Sequence, residues 1–160
     1  MTRLPTALAL LAVCGCAGNA PVPTPPPRTA PTSLEAAFVA ANFVPIEAVS
    51  ALPLEMRPLI VPWPMPIAEP GQDYNFTDVV EEGVPAYRLI VGGRTADIGF
   101  VLFDAGGYYG PHQQLVLVQF SGDHVTAFCR FIVVGRARSV GDAKAAVPSA
   151  LRQLSGYGCR

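Results

Sequence analysis

The apolar positions of this chain keep two different rhythms, and each predicts a different kind of element. Between Pro85 and Val134 they come in short runs separated by glycine-containing turns, the pattern of strands joined as hairpins. Pro85 to Val91 reads as a strand, Gly92-Gly93 with Arg94 to Asp97 as a turn, and Ile98 to Asp104 as the returning strand. Leu115 to Phe120 is apolar on both alternating faces except at Gln119, as expected of a central strand covered on both sides. Gly122-Asp123 is a tight-hairpin signal, after which Val125 to Val134 returns as the longest strand.

On either side of this stretch the period is helical. Ser33 suits a cap, and Leu34, Phe38 and Ala41 fall on one face, which predicts a short helix to about Asn42. Pro45 suits a second helical start, with Ile46, Val49 and Leu52 at helical spacing until Pro53 stops them. After the strands, Ala143, Ala146, Val147, Ala150, Leu151 and Leu154 form one helical stripe that Pro148 should kink or divide and Gly156 should end. Leu59 to Pro66 carries proline at every second position from Pro62, so it must be extended and cannot be a central strand. Ala68 to Glu82 is polar and acidic and reads as a loop with Tyr74, Phe76 and Val79-Val80 as footholds. The predicted fold is α+β: a four-stranded antiparallel meander sheet with amino-terminal helices and a carboxy-terminal helix packed on it, one domain over residues 34–160.

The first 33 residues have a different logic. Arg3 precedes the apolar run Leu4 to Val13, which is too short for a spanning helix of roughly 20 residues. The run ends at Val13-Cys14-Gly15-Cys16, which resembles the bacterial lipoprotein signal, or lipobox. Val13 stands where that family most often has leucine, and Cys14 is an unusual filler. The resemblance covers residues 1–17 only. It implies removal of residues 1–15, a diacylglyceryl group on the Cys16 thiol, and acylation of the new amine. It also implies a periplasm-facing outer-membrane location in a two-membraned bacterium, because Ala17 rather than Asp follows the cysteine. The alternative is an ordinary cleaved signal ending near Ala17 or Ala20, giving a soluble secreted or periplasmic protein. Two or three acyl chains hold a protein firmly where one holds it marginally. Residues 16–33 then form the lipidated start and a tether, with six prolines between Pro21 and Pro31 and Arg28 as their only charge. Such a segment is extended and polyproline-like, reaching as far as roughly 50 Å at about 3.1 Å per residue.

Charge adds two constraints. The formal net charge of −1 supplies no basic surface for nucleic acid. From Leu34 to Asp104 acidic residues outnumber basic ones ten to three, and from Ala105 to Arg160 the basic ones lead six to two. That division either orients the domain over anionic lipid or toward a charged partner, or is two solvated faces of different sign.

With Cys14 in the signal and Cys16 lipidated, Cys129 and Cys159 are left as a disulfide pair in an exported setting. The bridge would pin the terminal helix to the sheet and stabilise by roughly 3 to 4 kcal/mol in the chain-entropy model; two buried thiols are the alternative. No metal site is expected, since no second cysteine pair or nearby histidine completes one, and no cofactor motif or serine elbow is visible.

The candidate functional stretch is the loop from Asp104 to His112, with Gly106, Gly107 and Gly110 around Tyr108 and Tyr109. It is a binding loop, a structural hairpin connection, or a hydrolase-type site in which Asp104 and His112 exchange protons. His124 sits at the opposite hairpin tip and cannot join them. Trp63, between two prolines, is either a binding anchor or a wedge in the domain's own core. Arg130 alternates with Phe128 and Ile132 on a face that looks buried, so it pairs with an acidic residue of the amino-terminal half or reaches water at an edge. The expected function is a non-catalytic lipoprotein, anchored to the membrane, that binds an envelope protein or component. The alternatives are a small-ligand or lipid binder using Trp63, Tyr108 and Tyr109, and an enzyme centred on Asp104 and His112.

Overall fold

A computed structural model describes residues 33–61, 65–77, 79, 81–107, 110–150 and 159. The signal with Cys16, the proline tether, Trp63, Tyr108, Tyr109 and the end of the carboxy-terminal stripe lie outside the described residues.

The predicted meander is present as β3 (Tyr87–Arg94), β4 (Ile98–Ala105), β5 (His112–Ser121) and β6 (His124–Val133), each antiparallel to the next. The sheet is nevertheless six-stranded and not four-stranded. Both added strands lie on the outer edge of β3: β1 (Val44–Ile46) runs antiparallel along its Gly92–Arg94 end, and β2 (Ile67–Ala68) runs parallel along Tyr87 and Arg88. Pro45 therefore sits in an edge strand opposite Gly93 and does not begin a helix. An edge strand tolerates a residue that has no N–H to donate. The helical spacing of the following residues is realised as two 3-10 turns, Val49–Ala51 and Leu54–Met56, and one turn of helix, α2 (Arg57–Ile60).

A second correction concerns Gly92-Gly93, which lie within β3 opposite Val101 and Phe100. The turn is at Thr95–Asp97, where the Thr95 hydroxyl accepts from the Ile98 N–H at 3.1 Å. Glycine is needed in the strand because of what packs over it. A Cβ at Gly93 would lie 2.5 Å from Phe100 Cε1 and 2.9 Å from Phe43 Cβ. Those rings form a cluster with Phe38, with centroids 4.9 to 5.4 Å apart, the tilted and edge-on spacing favoured by aromatic pairs.

Both sheet faces are covered, so the molecule has three layers. On one face α1 (Ser33–Ala40) and α3 (Val140–Ala150) bury Leu34, Phe38, Ala143 and Val147 against Phe100, Leu102, Leu115, Leu117 and Phe131. On the other, Leu52, Met56 and Ile60 pack on Leu89, Val101, Phe103, Val116 and Val118. This double burial is why β4 and β5 read as apolar on both alternating sides, and each such side chain contributes about 1.5 to 3 kcal/mol relative to exposure.

The start of α3 is capped reciprocally. Ser139 Oγ accepts the Asp142 N–H at 3.1 Å, and Asp142 Oδ2 accepts the Arg138 N–H at 2.8 Å, a variant of the capping box. Pro148 lies inside α3 without ending it. Beyond the helix, Cys159 is bonded to Cys129 across a separation of 30 residues, and the two also form an isolated antiparallel bridge at Cα–Cα 4.0 Å. The expected disulfide is thus present, tying the end of the chain to β6.

Candidate functional site

At one end of the sheet, two neighbouring rows of residues cross β3, β4 and β5. Arg88, Asp104 and Gln113 are partners in one row; Tyr87, Ala105 and His112 in the next. Successive residues of a strand point to opposite faces. The register therefore sends Asp104 to the α1/α3 face and His112 to the other, and the two do not form a proton-exchanging pair.

On the α1/α3 face, Asp104 is buried, 8% exposed. Its Oδ2 accepts from Arg88 Nη2 at 2.6 Å and Nε at 3.0 Å, while its Oδ1 accepts from Gln113 Nε2 at 3.2 Å. Arg88 Nη1 donates to the Gln72 carbonyl at 3.2 Å, so each of its three guanidinium nitrogens makes a hydrogen bond. Gln113 passes the order on: its Oε1 accepts the Ala137 N–H at 2.7 Å. This hydrogen bond fixes the segment that leaves β6. Ala137 turns into the core at 2% exposure, and the flanking Arg136 and Arg138 are exposed.

Tyr74 lies over the same network, its ring 4.5 Å from the Arg88 guanidinium carbon. Burial, aided by the Asp104 charge and opposed by Arg88 and Arg136, raises the phenol's pKa above its ordinary 10.0. These groups border a cleft of about 640 Å³, whose charged lining is Arg88, Asp104, Arg136 and Arg138. Three guanidinium groups thus face one carboxylate. Among the described residues Arg136 and Arg138 form no salt bridge, the ion pairs being Arg88–Asp104 and Arg94–Asp123.

On the opposite face the polar groups bond one another, and His112, half-buried there, also borders the cleft. The Gln114 amide donates to His112 Nε2 at 2.8 Å, leaving His112 Nδ1 toward the Gly110 carbonyl at 3.5 Å. Gln114 Oε1 accepts from Arg130 Nη1 at 3.2 Å, and Arg130 Nη2 donates to the Leu59 carbonyl at the end of α2. Among the described residues Arg130 forms no salt bridge, and it lies half-buried on β6, the edge strand of the sheet. It fastens α2 to the sheet, with its guanidinium 6.0 Å from the Phe103 ring.

The base of the glycine-rich loop has a packing role. A Cβ at Gly106 would lie 2.5 Å from the Asn75 carbonyl oxygen and 2.7 Å from that of Thr77. Asn75 holds this turn by accepting from the Thr77 N–H at 3.0 Å and donating to the Val79 carbonyl. The exposed Phe76 and Val79 flank it. His124 lies at the far hairpin, opposite Ser121. A separate cluster, Glu35 with Cys129 and Cys159, offers ligand atoms within 4.8 Å of one another. Its sulfurs are bonded to each other and are not the thiolates that hold a metal.

Tyr74, Arg88, Gln113, Arg136 and Arg138 were not singled out as site residues by pattern. The one available signal was the Arg88–Asp104 pairing, which appears only when the turn is placed at Thr95–Asp97.

Comparison with protein-family models, curated proteins and solved structures finds no match to this chain. The fold is that of a mixed α+β domain with an antiparallel meander covered by helices. Among the described residues no helix is long and apolar enough to cross a membrane.

Proposed function

We propose that this chain is a non-catalytic binding lipoprotein of the bacterial envelope, held on the periplasmic side of the outer membrane by acylated Cys16 and raised from it by the proline tether. The Cys129–Cys159 bridge carries the reading. Disulfides persist in exported proteins and are rare where glutathione keeps thiols reduced. The lipobox-like Val13-Cys14-Gly15-Cys16 adds the anchor. Absence of catalysis is supported by the separation of Asp104 and His112 onto opposite faces, each engaged by other partners.

Expression of the full chain in a two-membraned bacterium tests this. The mature protein is expected in the membrane fraction, with an intact mass that includes acyl chains and begins at Cys16. Cys16→Ser should shift it to a precursor or soluble form without acyl mass. A Cys16→Ser protein that stays membrane-bound at its ordinary mass would sink the anchor.

A small-ligand reading also has a specific observation behind it: the cleft beside Tyr74 has the size of ligand pockets, roughly 300 to 1,000 Å³, at about 640 Å³.

A further inference from the structure

We infer that the cleft above Asp104 is a binding site for an oxyanion-bearing ligand, whose carboxylate or phosphate group is held by Arg136 and Arg138. This rests on reading the domain as a binding module and names the chemistry of what it binds.

The charge balance comes first. Arg88 and Asp104 neutralise each other at 2.6 Å, so the charge the cleft still presents is that of Arg136 and Arg138. Two like charges on a short segment repel, and a concave, partly desolvated wall concentrates their field toward an anion. The guanidinium fork matches carboxylate and phosphate oxygens in a bidentate manner.

Placement is the second point, because these arginines owe their common direction to buried groups. The chain Arg88–Asp104–Gln113 ends on the Ala137 N–H. With Ala137 packed inward, Arg136 and Arg138 on either side of it stay exposed, and both border the cleft. Arg138 is fixed again by its own N–H, which bonds Asp142 at the start of α3. A solvated charge run needs none of this scaffolding.

Tyr74 supplies a third element. Its ring covers Arg88 at the cleft wall, and its phenol, protonated at neutral pH as tyrosine ordinarily is, is a hydrogen-bond donor suited to the same oxyanion.

Calorimetric titration of the purified, exported full-length protein with citrate and with inorganic phosphate tests the site. A parallel arm measures co-sedimentation with phosphatidylglycerol vesicles against phosphatidylcholine vesicles. Saturable, salt-weakened binding to at least one anionic probe is expected, and it should fall about tenfold or more in R136Q/R138Q, equivalent to about 1.4 kcal/mol. Arg94→Gln, at the opposite end of the sheet, should leave it unchanged. Binding to free anions assigns a soluble ligand, and binding to the anionic vesicles alone assigns a lipid headgroup. No saturable binding in any arm, equal affinity in R136Q/R138Q, or equal loss in Arg94→Gln would overturn the inference. Both cleft arginines are exposed, and an unchanged disulfide mass and near-ultraviolet circular dichroism spectrum confirm that the variant is folded. Membrane location is read separately, so failure of one reading leaves the other standing.

Discussion

The two faces of the sheet at this end handle polar groups in opposite ways. The Arg88–Asp104–Gln113 row organises its surroundings and leaves Arg136 and Arg138 facing a cleft. The His112–Gln114–Arg130 set spends its donors on one another and on the Leu59 carbonyl. The difference lies in what covers each face. Over the second, α2 presents a backbone acceptor that the arginine can close upon. Over the first, the covering segment offers an N–H, which the Gln113 carbonyl oxygen takes, and its charged side chains are turned outward. Arginine content alone does not make a site; the polarity of the covering backbone decides whether a guanidinium is satisfied within the fold or left available to solvent.

The harshest break in this comparison is Asp104→Ala. It leaves Arg88 and the Gln113 amide without their shared acceptor, and losing one partner of a largely buried pair costs about 3 kcal/mol. Urea denaturation should show that loss. Asp104→Asn, which keeps an acceptor for Gln113, should lose less. Arg130→Met is the control on the sealed face. It leaves the Leu59 carbonyl and Gln114 Oε1 unbonded and should cost about 1 to 3 kcal/mol, with phosphate or citrate affinity unchanged. Should Arg130→Met weaken the anion as much as it weakens the fold, the two faces are not independent.

The smallest effect is expected at the α3 cap. Ser139→Ala removes a capping acceptor worth about 1 kcal/mol. The Arg138 N–H, and next the Ser139 hydroxyl, hold the Asp142 carboxyl below its ordinary value of 3.8. A depressed folded pKa means that this contribution is present above the unfolded pKa and lost as pH falls through the folded one. Thermal denaturation of wild type and Asp142→Asn should accordingly converge in strong acid and separate as the pH is raised past the normal carboxylate range.

Much of the architecture was legible from the spacing of apolar residues. The four meander strands, the two-sided burial of β5 and the Cys129–Cys159 pair all lie where they were expected. The errors share a cause: glycine and proline were read as local punctuation when tertiary contacts had assigned them other roles. Gly93 makes room for Phe43 and Phe100, and Pro45 occupies an edge where no donor is required. The first of these errors hid the cleft. A turn over 92–97 would set Val91 opposite Ile98 and Arg88 opposite Val101, concealing the ion pair with Asp104. Arg136 and Arg138 were visible as charge, but their common direction depends on the Gln113–Ala137 bond, a contact between residues distant in the chain. Asp104 and His112, the two ends of the glycine-rich loop, leave their strands on opposite faces and both border the cleft, whose ion pair and hydrogen-bond chain run through the strand neighbours of Asp104.

The irregularity in β3 between Leu89 and Val91 bears on how this domain can change over generations. Leu89 packs on one core and Val91 on the other, though strict alternation would put them on the same side. Ile90 is the extra residue that absorbs the difference. The strand is therefore two half-strands written in opposite phase, and deleting Ile90 would restore plain alternation while leaving Arg88 and the Gly92-Gly93 pair in their present layers. A one-residue insertion or deletion inside either half, away from the bulge, would instead turn the residues beyond it to the opposite layer, so the bulge is the one point at which β3 can change length and keep both cores.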